Sequence, residues 1–277
     1  MRLQFAGWDG NTRVQRARAT MSAYLEGFVD AIANPRPAMI ADTAKDLRAV
    51  ALAAGDASGY FPALYSRVTA RIAASIEAGA FADGPGIDRF ATRFASHYVA
   101  AADDHLRGAR CWQACWNVAS DQRLLIVQHL LLGINAHVNY DLPRAVVEVA
   151  DERGDLMSIR HDFDAVNDVL AATYDDVIKD LDRVSRWVNG AARVGGGRAF
   201  NFSLRLARAR AWQAASAMYS LSADGRSGYA DELDRFVSVL AFMITRPSPV
   251  LRPILGLVRR LEEHDSTKVI TAMLGER

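Results

Sequence analysis

The stretch from Val127 to Pro143, VQHLLLGINAHVNYDLP, limits the fold more than any other part of the chain. At about 100° per residue, Leu130, Leu131, Leu132, Ile134 and Val138 fall all round the barrel of a helix. A helix that is apolar on every side belongs in the middle of a larger protein. The same helix carries His129, Asn135, His137, Asn139 and Asp141, and buried polar groups are costly unless each finds a partner. It is therefore expected to be the hub of a hydrogen-bond network or the wall of a site. The reading is a buried central helix over 127–142, stopped by Pro143. It begins near Ser120 or Asp121, either of which suits an N-cap.

The rest of the chain also reads as helices. Residues 1–37 are expected to be an N-terminal extension with one helix, closed by Asn34-Pro35-Arg36-Pro37, and 38–277 a helical domain. Leu64, Val68, Ile72 and Ile76 recur at spacings of four, and Val166, Leu170, Tyr174, Val177 and Leu181 form a second stripe within a helix reaching Val188. Gly195-Gly196-Gly197 reads as a flexible loop, with nothing of a phosphate-binding fingerprint round it. Helices follow over Phe200–Leu221 and Tyr229–Ile244. Pro247-Ser248-Pro249 then breaks the chain before a last helix through Glu263. No run alternates as a strand would. The predicted class is all-α, one bundle of about nine or ten helices round the hub.

Composition excludes several function classes. With 277 residues, 51% of them hydrophobic, and a formal net charge of +1, the chain is long enough for a substantial core. It offers no electrostatic footprint for nucleic acid. Arg205, Arg208 and Arg210 read as a solvated helix face. No segment approaches the roughly 18 apolar residues of a membrane span, and the early charges Arg2, Asp9 and Arg13 argue against a signal peptide. The expected location is cytoplasmic, and a homo-oligomer is left open. Cys111 and Cys115, four apart, match no redox or zinc pattern and read as buried thiols.

The hub helix, with YFPALYSRVT (60–69), DFDAVNDVL (162–170) and NFSLRLARARAWQ (201–213), resembles an uncharacterised, mainly actinobacterial helical family, a domain of unknown function. Its hallmark is similar to QHLLLGMNAHINLDL, which Gln128–Leu142 matches almost throughout. The resemblance covers roughly residues 38–220. It implies an all-helical fold and motif positions at His129, Gly133, Asn135, His137, Asn139, Asp141, Asp162 and Asn167, with the first 35 residues an addition. It implies no activity.

Chemistry must come from the residues. Five histidines (His97, His105, His129, His137 and His161) fall in one 65-residue window. His137 and Asp141 are four apart, about 40° round a helix and about 6 Å along it, a good spacing for two ligands of one ion. His129 lies about 12 Å before His137, which makes it a poor third. The economical metal site therefore takes His137 and Asp141, with His161 or Asp162 from the next long helix. Zn, Fe or Mn would suit such ligands, with Asn135, Asn139 or Asn167 orienting one of them. The metal-free alternative is a satisfied polar network, favoured over metal because no hallmark ligand motif is present. Such a network would still supply a general base, since a carboxylate can hold a His for that role. Gly133 reads as a site of close helix packing.

Weaker patterns stand beside these. His129, His161-Asp162 and Asp231 or Asp234 resemble the order of HD-type metal phosphohydrolases. Asp103-Asp104 and Asn167-Asp168 with Asp175, Asp176 and Asp180 faintly resemble the Mg²⁺-diphosphate motifs of class I terpene cyclases, although Ala171 breaks that pattern. Solvated helix faces explain those carboxylates better. ARCWQAC (109–115) echoes ARAWQAA (209–215), as two helices that bury Trp and aim Arg at one carboxylate, or as coincidence among common helix formers.

The expectation is an enzyme acting on a small, largely apolar molecule beside the hub helix, hydrolysis being the commonest metal-assisted class. His137 and Asp141 would be metal ligands or a base–orienter pair, with His129 and Asp162 completing the site. Trp112, Trp116 and Trp212 would wall the pocket unless they simply pack the core. The rivals are cyclase or lyase chemistry, and a non-catalytic binding or interaction protein with a structural His/Asn/Asp network.

Overall fold

The computed structural model describes residues 39–104, 107–185 and 197–276, and their regular structure is helical, with no strand among them. The all-α reading holds. The expected N-terminal helix, His105 and the glycines Gly195 and Gly196 lie outside the described residues, whereas Gly197 opens a helix rather than closing a loop.

Helices α1 (Met39–Ala53) and α2 (Tyr60–Glu77) pack against each other. They are followed by α3 (Gly84–Asp103) and the short α4 (Arg110–Trp116). The hub begins as α5 (Ile126–Ala136), passes through a π-helical turn (His137–Asp141) and continues as α6 (Leu142–Arg153). Then come α7 (Arg160–Leu181), α8 (Gly197–Tyr219), α9 (Ala223–Thr245), α10 (Arg252–Arg259) and α11 (Ser266–Met273). Helix α5 packs against α2, α4 and α9, and α6 against α3 and α8. The hub is thus walled on all sides, which its apolar circumference requires.

The predicted stop at Pro143 is corrected. Inside an α-helix a proline loses a hydrogen bond and drives its ring into the carbonyl four residues back. Here the Leu142 N–H reaches back five residues to the His137 carbonyl. The widened turn lets the helix run on, with Pro143 in the first turn of α6, where proline is tolerated. The chain turns only at Gly154, in the left-handed region at φ +71°.

The predicted start is also corrected. Ser120 bonds to Asp56, and Asp121 accepts the Arg123 N–H, so both are spent on local bonds, as such side chains often are. Helix α5 instead starts at Ile126, whose N–H donates to the buried Glu262 carboxylate at 3.0 Å. A carboxylate there also suits the helix dipole. Helix α11, held by the Asp265 cap over Thr267 and Lys268, is an element the sequence reading missed. Its Ile270 and Met273 are buried.

Three apolar clusters share the interior. One surrounds Leu142, Phe163 and Trp212, one joins Val177 and Leu181 to Ile270 and Met273, and one gathers Phe61, Tyr98 and Trp112. Side chains from all three line a single cavity. Gly133 admits Phe61 to it, since a Cβ on Gly133 would stand 2.5 Å from the Phe61 ring.

Candidate functional site

The cavity measures about 310 Å³ and lies along α5, between α2, α3, α7 and α8. Among its described lining side chains only Tyr65, Thr69, His137, Thr173 and Arg208 carry polar atoms. A concave, mainly apolar space with a few polar groups is the usual form of a small-molecule site, which typically spans about 300–1,000 Å³.

His137 is its chemical centre. It is 3% exposed, and its Nδ1 lies 3.0 Å from Asp141 Oδ2. Asp141, 1% exposed, accepts a second bond on the same oxygen from Trp112 Nε1 at 3.0 Å, and the Arg144 guanidinium stands 3.7 Å from its other oxygen. Facing these cationic and N–H groups, the carboxylate can only accept, so the Nδ1 of His137 carries the proton and Nε2 carries the lone pair. Nε2 is buried and has no hydrogen-bond partner among the described residues. Phe94 stacks on the imidazole with centroids 3.6 Å apart, and Tyr65 meets it edge-on at 4.5 Å. Burial pulls the His137 pKa down, and the bond to Asp141 opposes this without overcoming it. The ring is held neutral, with a buried acceptor atom on a residue that lines a mainly apolar space. Burial also raises the Tyr65 phenol well above its usual range, and Thr69, another lining residue, has a buried Oγ1 without a partner among the described residues.

The π turn spans His137 to Asp141. Such turns recur at functional sites, and this one carries both members of the pair. Asn139 donates to Asn135 Oδ1 at 3.0 Å, and Asn135 donates to the Val237 carbonyl at 3.0 Å. These two asparagines tie the hub to α9, away from the cavity lining.

The other expected site residues stand elsewhere. His129 bonds the Asp121 carbonyl at 3.3 Å and meets Tyr60 edge-on, and it does not line the cavity. His161 projects into solvent, its side chain 83% exposed. Asp162 accepts the N–H groups of Ala82 and Asp83 at 2.9 and 2.7 Å and anchors the loop before α3. Burial pushes its pKa up, but these bonds outweigh burial and hold it below the usual carboxylate value. The expected ligand set of His137, Asp141 and His161 does not converge. Among the described residues no group of three or more His, Cys, Asp or Glu side chains is placed to hold a metal ion.

Trp112 backs Asp141, Trp116 stacks on Trp112 at 5.6 Å, and Trp212 packs on Phe163 at 5.1 Å. None of the three tryptophans lines the cavity. The ARxWQA echo brings no shared carboxylate. Arg110 meets Asp234 through its backbone N–H, and the Arg110 and Arg210 side chains are exposed. Asp234 caps α4, accepting the Arg110 and Cys111 N–H groups. Cys111 and Cys115 are free thiols, and burial raises both. Asp176 and Asp180 pair with Lys179 and Arg67, Asp168 with Arg205, and none lines the cavity.

Two residues that matter were missed as site residues. Phe94 belongs to an ordinary apolar stripe, so nothing distinguished it. Arg208 reads as one of three solvated arginines, yet it is buried against the cavity. Its neighbours Phe163 and Asn167 lie about forty residues away in sequence, out of reach of local pattern.

No curated protein and no solved structure matches this chain. A family model does match, over residues 40–247. This span includes the hub, His137, Asp141 and every described residue of the cavity lining. The chain belongs to the family of unknown function DUF5995.

Proposed function

We propose that this protein is an enzyme that takes a small, largely apolar molecule into the cavity beside the hub helix and acts on it with the His137–Asp141 pair as general base. The observation that carries the reading is the unpartnered Nε2 of a buried, neutral imidazole whose residue lines a nearly apolar cavity of about 310 Å³. Leaving such an atom without a partner is costly, and a ligand O–H or acidic C–H would supply one. In the reaction the ligand's proton moves to Nε2. Asp141, already bonded to the Nδ1–H, stabilises the imidazolium, as a carboxylate does for a catalytic histidine. An apolar lining gives water few partners. The site therefore suits proton abstraction from the bound molecule, as in an isomerase or lyase, better than hydrolysis. With no third ligand gathered among the described residues, the reading uses no metal.

The test is extraction and mass spectrometry of the compound that co-purifies with the detergent-free protein, followed by incubation of that complex in D₂O. The expected result is about one small apolar compound per chain, absent from an Ala91→Trp variant that fills the cavity, with deuterium entering the compound. His137→Gln should retain the compound and lose the exchange. A bound compound that never exchanges would leave a binding protein without catalysis. A wild-type protein that retains nothing and takes up no apolar probe would end the reading.

A further inference from the structure

Arg208 carries a second signal in the same cavity. Arg205 and Arg210 on α8 are exposed, but Arg208 is 4% exposed and lines the cavity. Its Nε donates to Asn167 Oδ1 at 2.9 Å, its Nη2 donates to the Phe163 carbonyl at 2.6 Å, and its guanidinium lies 4.3 Å over the Phe163 ring. Every one of these partners is neutral. No carboxylate of the described residues comes within 4.0 Å of it. Asp164, one turn away on α7, is bonded to Arg160 at 2.7 Å instead.

A buried charge with no counter-ion in contact, Asp164 acting on it only from a distance, is among the costlier arrangements in a protein interior. Burial lowers the Arg208 pKa to about 10, so the group is still charged at neutral pH. Guanidinium offers five N–H groups in a planar fork. Asn167 and Phe163 engage only the Nε and Nη2 side, and Nη1 bonds to no described residue. The fork is thus held in place with donors to spare, beside a space lined by Leu170 and Leu204.

We infer that the cavity's ligand is an amphipathic acid whose carboxylate pairs with Arg208 while its hydrocarbon body fills the apolar space. The inference deepens the apolar-ligand reading above and rests on it. A planar carboxylate matches the fork in geometry and brings one charge for one charge. A phosphate would bring a second charge into a cavity with no other cation among its described lining residues. The volume lies at the small end of ligand sites, so the acid is of medium chain length rather than long.

Calorimetric titration of the delipidated full-length protein with decanoate and with 1-decanol separates the cases. The two probes share a body and differ at the head. Wild type is expected to bind decanoate at least roughly tenfold more tightly than decanol, the scale of one charge-assisted hydrogen bond. Arg208→Met should erase that preference while decanol binding persists, and Arg208→Lys should keep part of it. Equal binding of the two probes by wild type overturns the carboxylate inference and leaves the apolar cavity reading standing. That comparison needs no variant, so a misfolded Arg208→Met cannot shelter the idea. Binding of neither probe overturns both readings.

Discussion

His137 Nδ1 and Asp141 Oδ2 lie 3.0 Å apart across the π turn of the hub helix, and this bond decides which face of the imidazole is free. Because Asp141 also receives the Trp112 N–H, its oxygen is committed to accepting. The proton is held on Nδ1, and Nε2 is left without a partner among the described residues.

Asp141→Asn keeps the shape and removes the charge. The amide can present an N–H to Nδ1, which would move the ring proton to Nε2 and close the lone pair. Deuterium exchange into the bound compound should fall by orders of magnitude, as expected for a wrong tautomer. Replacing two hydrogen bonds to a buried anion by neutral ones at best should cost about 2–4 kcal/mol, read from urea denaturation. Full exchange in a folded Asp141→Asn protein would refute the base–orienter role.

The pH dependence follows from burial. The folded-state pKa of His137 lies below the usual 6.5, as does that of His129. The unfolded chain therefore binds more protons than the folded one between those values, and stability rises with pH across that interval. The urea midpoint should drop as pH falls from about 7.5 through 6.5 towards 5.5, before the lowered carboxylates Asp83, Asp121 and Asp162 begin to titrate. His137→Phe should flatten that slope in part. An unchanged slope in the variant would show that His137 is not the group responsible.

Gly133→Ala tests the close approach that admits Phe61. The added Cβ would stand 2.5 Å from the Phe61 ring, and Phe61 is itself packed by Tyr65, Tyr98 and Trp112. Alanine is the better helix former by about 1 kcal/mol, but overpacking of this kind costs about 1–3 kcal/mol. A net loss of stability is expected in thermal or urea denaturation, and a gain would mean that the ring moves freely.

Asp162→Asn should separate structure from chemistry. Asp162 holds the Ala82 and Asp83 N–H groups and does not line the cavity. The variant is expected to lose about 1–3 kcal/mol while binding decanoate with unchanged affinity. A loss of ligand binding without loss of stability would return Asp162 to the site.

The chain's own pattern determined the helical class, the burial of the 127–142 stretch and the pairing of His137 with Asp141. Each depends on residues three to eight apart, and helical periodicity reports such distances directly. It also supplied the family, through the run Gln128–Leu142. Tertiary structure decided the rest. Pro143 reads as a stop because proline breaks an α-helix, and only a hub clamped on all sides supports the π turn that carries the chain past it. His129, His161 and Asp162 share a sequence window with His137 but face Tyr60, solvent and the Ala82–Asp83 backbone. Arg208 has the spacing of a solvated arginine and the surroundings of a buried one, because α7 and α8 close over it. The cavity belongs to no single helix. It is the space left where three apolar clusters meet, so it exists only once the helices are packed.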